Sequence, residues 1–151
     1  MGSDPITDLE AELADFWRRG RARTRARARA IDPRLDPTCY PLLILLSRHD
    51  AIPTSKLVAD LELEKSTVTR QIDAVERLGL VERRPDPCDA RARIVALTQV
   101  GRQKLDDVVA LAVSNWRERL SQWDPADIRQ LTELLRRLDD SESSGTGNTP
   151  R

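Results

Sequence analysis

Histidine occurs once in this chain, at His49, and cysteine twice, at Cys39 and Cys88. One imidazole and two separated thiols form no metal-ligand cluster, and neither a Gly-rich phosphate loop nor a nucleophile elbow is present. The pair His49-Asp50 has no third partner, and its ordinary role is that of a histidine at a helix C-terminus. Neither an enzyme nor a cofactor is therefore expected. Two cysteines are also too few for a disulfide framework. No apolar run approaches the roughly 20 residues of a membrane helix, and no signal-type segment stands near the N-terminus. The expectation is a cytoplasmic protein with free thiols and no membrane partner.

Net charge is absent as well. The 25 basic and 25 acidic residues cancel, which removes any global electrostatic case for nucleic acid. The distribution says more than the sum. Seven of the 25 basic residues fall in Arg18–Arg29, leaving 18 basic against 25 acidic elsewhere. At 39% hydrophobic, the 151 residues can build one domain with a modest core, as in a helical protein that shares its core with a second copy.

The run RRGRARTRARARA, Arg18 to Ala30, alternates arginine with small residues. On one helix over residues 6–31, Ile6, Leu9, Leu13, Trp17, Gly20, Thr24, Ala28 and Ile31 form a single stripe, and the arginines wrap the remaining surface. Asp4 caps the start, Pro5 takes the first helical position and Asp32-Pro33 marks the end. The run then reads as the second half of a long amphipathic helix. Its arginines are either a solvated face or contacts to DNA phosphates or an anionic ligand.

Residues Pro37–His49 carry Leu42, Leu43, Leu45 and Leu46, which suit a short buried helix. Thr54 is placed to cap a helix through about Leu61, and Leu61-Glu62-Leu63 is a tight connection. The next helix begins near Glu64 or Lys65 and ends at Gly79, a C-terminal cap. Two short helices on such a turn are a helix-turn-helix. Val68, Ile72, Val75 and Leu78 face the core, while Ser66, Thr69, Arg70, Asp73 and Arg77 lie opposite. The first exposed turn offers Lys65, Ser66, Thr67, Thr69 and Arg70, the hydroxyls and cations that a recognition helix presents to bases and phosphates. Hydroxyls near a helix start also cap, so this helix alone leaves both readings open. Leu80–Arg84 and Ala92–Thr98 read as strands around the turn-rich Pro85–Arg91. A hairpin with a basic tip, directly after such a helix, makes a winged helix, and Arg91 at the tip suits a DNA minor groove.

The segments STVTRQIDAVERLGLVERR and DPCDARARIVALTQVGR resemble the MarR family of bacterial transcriptional regulators. The family's wing pair, aspartate-x-arginine, falls on Asp89-Ala90-Arg91, and its strand-to-helix junction on Leu97-Thr98 and Gly101. These motifs cover about Pro53–Arg102, and the flanking helices extend the resemblance over roughly Ile6–Leu138. It implies a mainly α fold with a small β-hairpin wing: an N-terminal dimerisation helix (1–36), a winged helix-turn-helix (37–100) and C-terminal dimerisation helices (101–140); the polar, Gly/Ser-rich residues 141–151 are expected to be a disordered tail. It implies a homodimer on a pseudo-palindromic operator in double-stranded DNA, more often as a repressor than an activator. The expected DNA-binding residues are Lys65, Ser66, Thr67, Thr69, Arg70, Arg83, Arg84, Arg91 and Arg93, the last as a phosphate contact. Asp89 braces the wing.

Thr98–Trp123 reads as a long helix bearing Leu105, Val108, Ala112, Trp116, Leu120 and Trp123. Asp124-Pro125 opens a last helix with Ile128, Leu131, Leu135 and Leu138. Such stripes must bury against something. The resemblance assigns Ile6, Leu9, Leu13, Trp116, Leu120, Ile128, Leu131, Leu135 and Leu138 to a dimer interface. It also implies a small aromatic or anionic effector, with Trp17, Tyr40 and His49 as candidate lining. Cys39, near a helix start where a thiolate is favoured, and Cys88, in the wing, are candidates for a redox-sensing variant. The remaining rival is a winged helix that binds protein and not DNA, which the acidic Asp73, Glu76 and Glu82 near the reading face would suit.

Overall fold

The structure is a computed structural model that describes residues 4–145, with side chains to residue 140. The chain runs α1 (Pro5–Ile31), a 3-10 turn (Pro37–Cys39), α2 (Tyr40–Ser47), β1 (Ile52–Pro53), α3 (Thr54–Leu61), α4 (Lys65–Arg77), β2 (Val81–Pro85), β3 (Arg93–Leu97), α5 (Gln99–Arg119) and α6 (Pro125–Gly145). It is mainly helical with one small antiparallel sheet, as the sequence predicts. The chain divides within α5 into two compact units, one ending at Ala110 and the other beginning at Leu111.

The 27 residues of α1 make a rod about 40 Å long. Asp4 accepts a hydrogen bond from the Thr7 N–H at 3.4 Å, and Pro5 opens the helix. Asp32 turns extended before Pro33, and its N–H reaches the Ala28 carbonyl at 3.1 Å. The apolar stripe changes character along the rod. Ala28 and Ile31 are buried, whereas Ile6 is 70% exposed and Trp17 58%.

The core of the first unit gathers Ile31 of α1, Leu42, Leu43 and Leu46 of α2, Leu57 of α3, Val68, Ile72 and Val75 of α4, Leu80, Val81 and Val95 of the sheet region, and Leu105 and Val108 of α5. It therefore extends beyond residues 37–100 at both ends. Leu78 packs on its edge.

The sheet order is β1-β3-β2. β2 and β3 form the expected hairpin, with Val81 opposite Leu97 and Arg83 opposite Val95. The two-residue β1, which no alternation pattern could announce, pairs Ile52 with Val95. It also corrects the expected cap of α3. Pro53 occupies the N-cap, and Thr54 is the first helical residue, its hydroxyl donating to the Arg93 carbonyl at 3.4 Å. Strand pairing takes the hydroxyl that a cap would have used.

Two glycines have definite backbone duties. Gly79, just past α4, adopts φ +72°, and its N–H meets the Glu76 carbonyl at 2.9 Å while that of Leu80 meets Val75 at 3.0 Å. Gly101 lets the first turn of α5 lie on the Leu80 backbone; a Cβ there would sit 2.0 Å from the Leu80 carbonyl oxygen. Thr98 completes this junction, donating to the Gly79 carbonyl at 2.6 Å and accepting from the Gly101 N–H at 3.0 Å.

α5 ends at Arg119 and not at Trp123. Its end tightens into turns, the Ser121 N–H reaching Glu118 and the Trp123 N–H reaching Leu120. Asp124 then caps α6, accepting from the Ala126 N–H at 2.8 Å. α6 continues to Gly145, so five residues expected as tail are helical, and residues 146–151 lie outside the described residues.

Candidate nucleic-acid interface

The elements α3 and α4 with the β2–β3 hairpin make a winged helix, and each has a local cause. Between the helices, in the three-residue turn 62–64, Glu62 adopts a left-handed backbone (φ 53°). α4 buries Val68, Ile72 and Val75 and presents Lys65, Ser66 and Arg70 to solvent, with Thr67 and Thr69 half-buried. Glu64 at its N-cap makes no side-chain cap bond, leaving early backbone N–H groups of the helix directed outward beside these side chains. Thr69 donates its hydroxyl to the Lys65 carbonyl at 2.8 Å, so toward a base it acts as an acceptor. Gln71 is buried and donates to the Thr38 carbonyl at 3.2 Å, tying α4 to the 3-10 turn. Its burial on an otherwise polar flank was not legible from the helical pattern.

The wing is braced from within. Asp89 accepts the Arg91 N–H at 2.9 Å and Asp86 accepts the Cys88 N–H at 2.8 Å. The Ala92 N–H reaches the Asp89 carbonyl at 3.0 Å. These bonds form a compact turn with Arg91 exposed at its tip and Arg93 exposed at the start of β3.

Arg83 departs from its expected part. It is half-buried, and its guanidinium lies between Asp73, at 2.5 Å, and Glu76, both on α4. A guanidinium held by two carboxylates joins β2 to α4 and is not free to meet a phosphate. Arg84 is exposed but pairs with Glu82. Asp73 and Glu76 thus share Arg83, and Glu82 pairs with Arg84. Among the described residues, Lys65, Arg70, Arg91 and Arg93 have no ion-pair partner.

The other expected sites are dispersed. Tyr40 belongs to the core, and Trp17 stands on the exposed face of α1. His49 is exposed and lines a polar hollow of about 340 Å³ with Ser47, Arg48, Asp50 and Arg102. There Arg102 donates to the carbonyls of Ser47, at 3.4 Å, and His49, at 3.3 Å. The structure thus does not gather Trp17, Tyr40 and His49 into one cavity. Cys39 is 2% exposed, and burial, with Asp36 nearby, pushes its thiol up. The expected thiolate is disfavoured there, because desolvation outweighs the helix start. Cys88 is an exposed free thiol in the wing turn.

Residues 35–92 match the family model described as MarR family. The HTH-type transcriptional regulator YxaD of Bacillus subtilis is 27% identical over 138 residues, spanning 91% of this chain and 95% of its own. Among solved structures, a MarR transcriptional regulator from Methanosarcina mazei Go1 superposes with a TM-score of 0.76 at 22% identity, covering 91% of this chain and 98% of that one. A mutant MarR from E. coli, complexed with operator DNA, superposes at 0.66 and 20% identity, covering 90% and 99%.

Proposed function

The chain belongs to the MarR family of transcriptional regulators, and on that premise we propose that it is a cytoplasmic homodimeric repressor of a pseudo-palindromic operator, released by a small aromatic or anionic effector. α4 reads base edges from its first exposed turns, and the wing places Arg91 in the flanking minor groove. Phosphate contacts from the wing and the start of α4 supply most of the affinity.

One observation carries the DNA reading over protein docking. Asp73, Glu76 and Glu82 are each held in an ion pair with Arg83 or Arg84, while Lys65, Arg70, Arg91 and Arg93 have no ion-pair partner among the described residues. These four cations, with the hydroxyls of Ser66 and Thr67 beside them, suit a polyanion. Dimerisation is supported by apolar side chains that water would otherwise cover: Ile6, Leu9, Phe16 and Trp17 on α1, and Leu131, Leu134, Leu135 and Leu138 on α6. Effector release is supported by the family resemblance alone.

The test is selection of bound duplexes from a random pool at physiological salt with excess competitor DNA. An enriched palindrome with half-sites about one helical turn apart is expected. Enrichment of no motif, with only weak salt-sensitive binding, would replace this reading with a protein-docking winged helix.

A further inference from the structure

The arginine run of α1 is not used by the winged helix. In the folded chain its members have unequal surroundings. Arg18 and Arg19 pair with Asp15, at 2.8 and 4.0 Å, and Arg23 lies 5.2 Å from the centre of the Phe16 ring. Arg21, Arg25 and Arg29 are exposed and, among the described residues, have no ion-pair partner. Four residues apart, they form one ribbon along the helix with a step of about 6 Å. The ribbon lies off the Ile6–Ile31 apolar stripe, so burying that stripe leaves it in water. Charge is polar along the rod: five carboxylates and no base between residues 4 and 17, then seven arginines and no acid from 18 to 31. Like charges at this spacing repel, and no side chain of this half-helix relieves them.

We propose that Arg21, Arg25 and Arg29 form a second, sequence-independent surface for the phosphate backbone of duplex DNA, outside the bases read by α4. This rests on the reading of the protein as a DNA-binding regulator. Duplex DNA carries a phosphate charge about every 1.7 Å of its axis, so a ribbon of cations at 6 Å steps finds partners along its length. All three are arginine, whose planar fork engages phosphate oxygens in pairs. They lie in the same compact unit as α4 and the wing. The acidic half of α1 would be repelled by the same duplex, which confines contact to the C-terminal half. The ribbon adds affinity and reach without adding sequence preference.

The experiment compares the full chain with the triple variant Arg21→Gln, Arg25→Gln, Arg29→Gln, by fluorescence anisotropy on operator and random duplexes across a salt series. Glutamine keeps the helix, since these positions are exposed and Gln is a good helix former. The slope of log K against log salt is expected to flatten by about 0.9 for each phosphate that the variant no longer neutralises, up to about 2.7 per protomer. Operator and random duplex should weaken by the same factor, and the lysine triple variant should keep the slope. An unchanged slope in a folded glutamine variant overturns the proposal. So does a loss confined to operator, or a loss of polyglutamate binding with duplex binding intact. If the glutamine variant fails to fold, the single change Arg25→Glu is read by the same slope. A second arm carries Arg70→Ala with Arg91→Ala. Sequence preference lost there, with salt-sensitive binding retained, separates the two surfaces. A wild type without preference whose slope still flattens in the ribbon variant refutes the regulator and keeps the ribbon.

Discussion

Arg70, Arg83 and Arg91 look alike in the sequence, and their surroundings give them different work. Arg83 is held by Asp73 and Glu76 and ties the wing to α4. Arg70 is exposed on the reading face, and Arg91 is exposed on a turn braced by Asp89. Arg70→Ala is expected to lower operator affinity by about 1–3 kcal/mol while random duplex changes little, since alanine cannot make a bidentate bond to a base. Arg91→Ala is expected to weaken operator binding with the melting temperature unchanged. Anisotropy on both duplexes, with thermal unfolding alongside, checks the pair; equal losses on both duplexes for Arg70→Ala would make it a phosphate contact. A different residue adds to the acid sensitivity of the fold. Asp32 is buried at the end of α1, and hydrogen bonds from the Arg34 guanidinium and backbone N–H hold its carboxyl at about 2. A depressed carboxylate stabilises the fold above its unfolded value and loses that contribution as pH falls, here between about pH 4 and pH 2. Asp32→Asn should therefore be less stable at neutral pH and show a flatter acid loss in that window, as read by urea unfolding across the acid range.

At the scale of elements, the long helices and the wing were legible because each repeats a pattern. The stripe of α1 has a helical period, the flanks of α4 separate by polarity, and β2 and β3 bracket a turn-rich loop. Elements set by a partner were not legible. β1 is two residues long and exists because β3 lies beside it, and the same pairing moved the N-cap of α3 to Pro53. The end of α5 at Arg119 was also missed, since the apolar spacing continues past it. The Thr98–Gly101 junction stands between these cases. Its residues were visible as a motif, and their reason appeared only where α5 meets Leu80. Gly101→Ala drives a Cβ into backbone that cannot swing aside, and should destabilise by about 3 kcal/mol or more, at the top of the range for overpacking. Chemical denaturation would show it, and an unchanged midpoint would mean that α5 shifts without cost.

Across the whole molecule, the dominant quantity is the apolar surface left in water. Leu131 and Leu135 of α6 are 43% and 49% exposed. Covering the remainder contributes roughly 1 kcal/mol each, and a buried glutamate adds the cost of an unpaired charge. The double variant Leu131→Glu, Leu135→Glu is expected to raise the dimer dissociation constant at least about a hundredfold by sedimentation analysis. A wild type that sediments as a monomer at every concentration would refute the dimer.

The sequence by itself determined the fold class, the family and the segregation of charge along α1, because periodicity, turn residues and local motifs act over a few neighbouring positions. Only the tertiary structure decided which charges remain free. Arg83 lies seven residues from Glu76 and ten from Asp73, and the hairpin brings them together. The burial of Cys39 and Tyr40, the tie from Gln71 to Thr38 and the need for glycine at 101 likewise arise where distant segments touch. Pairing and desolvation depend on distance in space, which no local pattern along the chain records.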